Sequence, residues 1–213
     1  MDSASLAESD AERFNRRRTH GEAEMQPLYT REDVADAMAQ VRALPYDKRE
    51  TILGGVDAAF RDAGHILGSS IVELWADGRK LVFSGDLGPK GTPILRDPTP
   101  IREADLVLME STYGDRNHRE RTATIRELGD ILDAAWRDGG NVLIPAFAVG
   151  RSQELLYWFA RHWDEWKLSR WTIFIDSPMA GKVVEVYGRH HELFDEDARR
   201  VWAERPNPFK LPN

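Results

Sequence analysis

Two short apolar runs on either side of Asp77-Gly78 constrain the fold of this 213-residue chain more than any other feature. Residues 70–76 and 80–84 have the composition of β-strands, and an Asp-Gly pair between two strands is typical of a tight type I′ hairpin. In an antiparallel hairpin, the residue before the first strand and the residue after the second lie at the same end of the sheet. The sequence therefore predicts that His65 and Asp86 lie near each other.

An imidazole and a carboxylate at one edge of a sheet are donors that zinc accepts, so His65 and Asp86 are candidate metal ligands. The chain contains no cysteine, which excludes disulfides, thiolate zinc sites and cysteine nucleophiles. Any metal would be held by carboxylates and by the six histidines. These are His20, His65, His118, His162, His190 and His191. We expect His118, His190 and His191 to be surface helix residues without a metal role.

The overall composition indicates a chain that folds without a membrane. Hydrophobic residues make up 41% of the sequence, which is sufficient for one sizeable core or two small ones. Residues 1–24 lack a signal-peptide core and no apolar run is long enough to cross a bilayer, so the cytosol is the default location. A net charge of −7 argues against a broad basic surface for nucleic acid, although a few local cations remain compatible with binding.

The first half of the chain contains one helix signal and one long loop. Residues 1–26 are polar and fit either a helix or a disordered arm. Thr30 followed by Asp33 resembles a capping box, and the apolar spacing that follows predicts a short amphipathic helix up to Pro45. Residues 51–60 are expected to be extended, and the Gly/Pro-rich stretch 88–100 is expected to be a surface loop.

From Ala104 onward, short apolar runs alternate with helical patterns. This alternation predicts parallel strands joined by crossover helices. The expected strands are residues 106–109, 142–147 and 171–175, and the expected helices are residues 122–138, 151–166 and 180–193.

Charged residues follow each of these predicted strands: Glu110, Arg151 and Asp176. Ligands of open parallel sheets bind beyond the carboxyl ends of the strands, so these three side chains predict a polar cleft. Helix capping and solvation of loop charges explain the same residues equally well. Periodicity alone leaves both interpretations open.

Five motifs in this order resemble the β-CASP branch of the metallo-β-lactamase fold. They are residues 27–30 (PLYT), 62–69 (DAGHILGS), 84–88 (SGDLG), 110–116 (ESTYGDR) and 144–154 (IPAFAVGRSQE). Members of that branch are zinc-dependent nucleases that act mostly on RNA, and the RNA-processing nucleases related to the endonuclease of pre-mRNA 3′ ends look most similar. The resemblance implies an α/β chain: a partial metallo-β-lactamase αββα domain followed by the start of a β-CASP parallel α/β domain. The expected divisions are a polar segment 1–26, a partial metallo-β-lactamase domain 27–115 and a partial β-CASP domain 116–213.

The resemblance also implies roles for individual residues. His65 matches a histidine that binds one zinc ion, and Asp86 matches an aspartate that bridges two. Glu110 matches an acidic residue that opens the β-CASP region, so Asp86 and Glu110 are the expected catalytic residues. Two such cations lower the pKa of a water and neutralise charge on the phosphate. We assign Arg151 and Ser111 to the binding of the RNA substrate.

The chain departs from the family because it contains no His-x-His-x-Asp-His segment. We therefore expect an internal piece of a longer enzyme, with an incomplete two-zinc site, exposed apolar faces and no activity alone. Such a piece would associate with the remainder of the enzyme, and a homodimer is left open. Two alternatives remain: a degenerate, non-catalytic RNA- or protein-binding module, and a DNA-processing β-CASP nuclease.

Overall fold

The structure, a computed structural model, describes residues 2–19, 21–204 and 209. Its contacts divide the chain into two units, Met1–Leu44 and Pro45–Asn213. The domain limits expected after residues 26 and 115 stay predictions. His20 and the end of the predicted β-CASP segment, residues 205–208 and 210–213, lie outside the described residues.

The first unit consists of helix α1 (Asp2–Arg17) and helix α2 (Arg31–Gln40). Residues 2–17 of the polar segment 1–26 are therefore helical, which favours the helix over the disordered arm for that part of the segment. The predicted capping box at the start of α2 is confirmed, because the Asp33 N–H donates to Thr30 Oγ1 at 3.2 Å and the Thr30 N–H donates to the Asp33 carboxylate at 2.7 Å. The predicted apolar face is not buried, since no residue of α2 is buried.

The second unit begins with a five-stranded sheet. Its strands are β1 (Glu50–Leu53), β2 (Val56–Asp62), β3 (Ser70–Ala76), β4 (Arg79–Phe83) and β5 (Leu106–Leu108), which are neighbours in that order. Strands β1 to β4 pair antiparallel, and β5 pairs parallel to β4. The φ angles of Asp77 and Gly78 are +50° and +72°, as a type I′ turn requires, so the hairpin prediction is confirmed.

The segment between β4 and β5 is irregular, as predicted, but it is not only a surface loop. Leu87 and Ile101 pack on Ile71 and Val82 of the sheet and on Ala63, the residue that follows β2. Ile94, at 2% exposure, joins a second core under the helices. The sequence pattern missed this burial because glycine and proline mark the absence of regular structure and not its exposure.

The described residues of the second unit also form four α-helices, α3 (Arg121–Arg137), α4 (Arg151–Arg161), α5 (Pro178–Arg189) and α6 (Glu196–Glu204), and two short 3-10 helices, Leu168–Arg170 and His191–Leu193. The first three confirm the predicted helices, although α4 ends at Arg161 and turns follow it. Helix α6 was not predicted. None of the helices among the described residues has the length and apolar character that a membrane span requires.

The predictions of strands at residues 142–147 and 171–175 are wrong. Both segments lie outside every strand of the described residues, and three of their side chains are highly exposed: 91% for Leu143, 85% for Phe147 and 84% for Phe174. They line one open cavity of about 1010 Å³. A strand requires a neighbour for its hydrogen bonds, and neither segment has one among the described residues. The α/β class is confirmed, but the described sheet has one parallel pair of strands, β4 and β5.

Candidate functional site

Two loops meet at the end of the sheet opposite the Asp77-Gly78 turn. The loop of residues 63–69 joins β2 to β3, and residues 84–88 follow β4. The Gly88 N–H donates to the Ala63 carbonyl at 2.9 Å. A Cβ atom on Gly88 would lie only 1.7 Å from the Gly64 carbonyl oxygen, so this approach requires glycine. The structure thus brings the loops of His65 and Asp86 into backbone contact, and both residues are exposed.

The loop that carries His65 is held by its own polar groups. Ser69 Oγ accepts hydrogen bonds from the N–H groups of His65 and Ile66, at 3.0 and 3.2 Å. The Asp62 carboxylate accepts from the Gly64 N–H at 2.9 Å, and Gly64 has a φ of +63° that favours glycine. Short polar side chains that bond to nearby backbone stabilise such turns. The position of His65 is therefore determined by the residues of its own motif.

Glu110 connects the loop of Asp86 to the segment that follows β5. Its carboxylate accepts from the Leu87 N–H at 3.0 Å and from the Thr112 N–H at 3.2 Å. Its own N–H donates to Ser84 Oγ at 3.0 Å. Hydrogen bonds from Thr112 and Leu87 lower the pKa of Glu110, and positive charge on His65 acts in the same direction. Glu110 is thus a charged carboxylate whose visible action is to hold two loops together.

Arg151 is the first residue of α4, and its guanidinium pairs with Glu154 at 2.5 Å while its side chain stays 61% exposed. The preceding residue, Gly150, lies against the His65 loop, because a Cβ there would be 2.9 Å from Ile66 Cγ2. The Tyr187 hydroxyl of α5 accepts from the Leu67 N–H at 3.3 Å. The start of α4 and one side chain of α5 therefore adjoin the loop that carries His65.

The other two predicted residues lie as follows. Ser111 is exposed, and its carbonyl accepts from the Gly114 N–H at 3.0 Å, which starts a turn after Glu110. Asp176 lines the open cavity beside the exposed segments 142–147 and 171–175. No hydrogen bond or ion pair of the described residues joins Asp176 to either loop, so the three-residue polar cleft stays a prediction.

The described residues do not complete a zinc site. A zinc ion in a protein usually has three or four protein ligands. Residues 2–19, 21–204 and 209 contain no group of three or more histidine, aspartate and glutamate side chains that could hold a metal ion. His65 and Asp86 supply two donors at most, so the assignment of these residues as metal ligands stays a prediction.

Sequence reasoning missed three residues that build this site. Ser69 and Ser84 belong to the recognised motifs, and their hydroxyls accept hydrogen bonds from the backbone N–H groups of His65 and Glu110. A serine four residues after the histidine was a readable local signal. Tyr187 lies 120 residues from its partner Leu67, and no local pattern predicts such a contact.

Comparison with known proteins finds one domain profile and several similar sequences. Residues 152–213 match the profile of the Beta-Casp domain. Ribonuclease TTHA0252 of Thermus thermophilus is 43% identical over 185 residues, which are 87% of this chain and 42% of that protein. This chain is similar to proteins with a Beta-Casp domain. The resemblance inferred from the five motifs is therefore confirmed.

Two further relatives of the β-CASP group extend the comparison. The RNase J-like protein of Methanocaldococcus jannaschii is 31% identical over 185 residues, covering 85% of this chain and 44% of that protein. Endoribonuclease YSH1 of Saccharomyces cerevisiae is 28% identical over 193 residues, covering 87% of this chain and 24% of that protein. The chain spans less than half the length of each of these three relatives.

Proposed function

We propose that this chain carries part of the active site of a β-CASP hydrolase that cleaves the phosphodiester bonds of RNA. Its similar relatives are named as ribonucleases and endoribonucleases, which supports RNA as the substrate. The observation that carries the proposal is the Glu110 carboxylate, because it joins the loop of Asp86 to the segment that follows β5. Backbone contact between Gly88 and Ala63 then places the His65 loop at the same edge.

Within this proposal, His65, Asp86 and Arg151 contribute groups that are exposed close to the two loops. His65 and Asp86 present an imidazole and a carboxylate to solvent from two loops in contact. Arg151 adds an exposed cation at the start of α4, where the helix N-terminus also favours a phosphate. Zinc dependence is part of the proposal, but the described residues supply too few donors for it. The chain alone is therefore proposed to be inactive.

The incomplete donor set also favours a second candidate function. A non-catalytic RNA- or protein-binding module would keep the fold and the motif loops without needing a third or fourth ligand. The two functions differ in one testable respect: only the first gives cleavage when the remaining parts of a related enzyme are supplied.

A chimera tests this difference. The aligned 185-residue region of the Thermus thermophilus relative would be replaced by the matching region of this chain. We expect the chimera to cleave a labelled single-stranded RNA, whereas residues 1–213 alone should not. Asp86→Asn should reduce the rate by about 100-fold or more, as expected for loss of a carboxylate that would hold the metal and so help to stabilise charge on the reacting phosphate.

Asp77→Asn is the matched control, because it makes the same chemical change at the opposite end of the β3–β4 hairpin. It should leave the rate unchanged. A folded chimera that binds RNA without cleaving it would favour the binding module. Stoichiometric zinc in the isolated chain, lost in Asp86→Ala, would show that further ligands complete the site.

A further inference from the structure

A short exposed segment after Glu110 carries three flat side chains that contact one another. The ring centres of Tyr113 and His118 lie 4.0 Å apart with an angle of 31° between the planes. The Arg116 guanidinium carbon lies 5.1 Å from the centre of the Tyr113 ring. Every residue from 111 to 120 is exposed, and Tyr113 keeps 49% of its surface accessible. We call Tyr113, Arg116 and His118 the aromatic stack.

The stack is not part of a core. His118 lies in a loop, so its expected place on a surface helix is wrong. No carboxylate of the described residues lies within ion-pair distance of Arg116, in contrast to Arg119, which pairs with Glu127 at 2.6 Å. An exposed aromatic pair and a guanidinium without an anionic partner have the chemistry that binds single-stranded nucleic acid: rings stack on bases, and the cation binds phosphate.

The stack is also tied to the candidate site. A turn forms at the start of this segment, because the Gly114 N–H donates a hydrogen bond to the Ser111 carbonyl at 3.0 Å. The Glu110 carboxylate holds Thr112 on one side and Leu87, the neighbour of Asp86, on the other. Tyr113 follows Glu110 by three residues, so its Cα lies within about 11 Å of the Cα of Glu110. A strand whose phosphate reached the loop of Asp86 would thus pass close to these rings.

We propose that Tyr113 and His118 stack on a base of single-stranded RNA and that Arg116 binds a flanking phosphate. This subsite rests on the proposed function for its choice of RNA as the ligand. The net charge of −7 makes broad electrostatic attraction a poor source of affinity. Stacking therefore supplies most of the binding, and the affinity depends only weakly on salt.

Fluorescence anisotropy with short, end-labelled RNA, in a buffer with a metal chelator, tests the subsite without cleavage. Tyr113→Ala should raise Kd about 5-fold or more, and Tyr113→Phe should keep the wild-type value, because stacking needs the ring and not the hydroxyl. RNA with abasic sites should bind weakly and should not distinguish Tyr113→Ala from wild type. If Tyr113 had only a structural role, Tyr113→Ala would weaken the binding of abasic RNA and of intact RNA to the same extent.

Trp136 on α3 offers a matched control. It is 44% exposed and has the Arg170 guanidinium carbon 5.1 Å from its ring centre, so it is an exposed ring beside a guanidinium elsewhere on the chain, with the difference that Arg170 pairs with Asp133 at 2.8 Å. Trp136→Ala should leave Kd unchanged. Arg116→Gln provides an independent readout, because loss of one phosphate contact should reduce the slope of log Kd against log salt by about 0.7.

The outcomes separate the subsite from the proposed function. Equal affinity of Tyr113→Ala and wild type, an equal loss in Trp136→Ala, or no RNA binding by the wild-type chain would each overturn the subsite. An active chimera would leave the nuclease proposal standing in all three cases. A base-dependent loss at Tyr113 beside an inactive chimera would support the subsite and remove the nuclease proposal.

Discussion

At the scale of single residues, Glu73 combines burial with charge. It is 2% exposed on β3, its carboxylate accepts from Arg61 Nε of β2 at 2.6 Å, and Lys80 of β4 pairs with its other oxygen. Burial raises the pKa of Glu73, but Lys80 and Arg61 outweigh this effect, so the pKa lies below its ordinary value of 4.5. The ionised carboxylate is therefore stabilised by folding.

Glu73→Gln should lower the free energy of unfolding by about 2 kcal/mol, because it removes the buried anion between Arg61 and Lys80 and leaves Arg61 with Asp47 as its one remaining carboxylate partner. Urea unfolding at neutral pH measures this change. Glu127→Gln is the control, since Glu127 pairs with Arg119 at the surface and its loss should cost at most about 0.5 kcal/mol. Equal effects of the two substitutions would contradict the argument.

The contribution of the Glu73 carboxylate to the free energy of unfolding depends on pH. Because folding lowers the pKa of Glu73, its contribution to stability is complete above about pH 4.5 and is lost as the pH falls through the folded-state pKa. Replacing Glu73 by glutamine should flatten the decline in unfolding free energy over this acidic range. An unchanged decline would show that Glu73 is not stabilised by its two partners.

At the scale of elements, local signals explain which parts of the fold were predictable. The β3–β4 hairpin and the start of α2 depend on Asp77-Gly78 and on Thr30 with Asp33, and all of these contacts are local in sequence. Strands at residues 142–147 and 171–175 required neighbours that no local pattern reveals. The site follows the same rule: the meeting of the His65 and Asp86 loops was predictable, whereas the bond from Leu87 N–H to Glu110 was not.

The meeting of these loops can be tested at Gly88. Gly88→Ala should destabilise the chain by about 3 kcal/mol, because the new Cβ would overlap the Gly64 carbonyl and force the two loops apart. Gly181→Ala is the control: it lies inside α5 with open space around it, and alanine should stabilise the helix by up to about 1 kcal/mol. Urea unfolding of both variants measures the two changes in the free energy of unfolding, which should have opposite signs. A neutral Gly88→Ala would contradict the close approach of the loops.

At the scale of the whole molecule, exposed apolar side chains include those of one edge strand and of the two irregular segments 142–147 and 171–175. Leu106, Val107 and Leu108 of β5 are 48% to 55% exposed, and Leu143 and Phe174 are more exposed still. Contiguous exposed apolar surface and an open strand edge favour association with other chains.

We expect the isolated chain to associate as its concentration increases. The double substitution Leu143→Lys with Phe174→Lys should shift it toward the monomer, because both side chains line the open cavity. Sedimentation velocity over a range of concentrations measures the shift. Leu28→Lys is the control, since Leu28 is 96% exposed in another part of the sequence. A monodisperse, cooperatively melting wild-type monomer would contradict the expectation and would count against an internal fragment.

The β3–β4 turn also has a practical use. It lies at the far end of the hairpin from His65 and Asp86, about 20 Å away along seven residues of strand. The chain has no native thiol, so Arg79→Cys at this exposed position would provide one attachment point for a fluorophore. A dye placed there would report on binding at the proposed RNA site without contacting the residues proposed to bind the RNA.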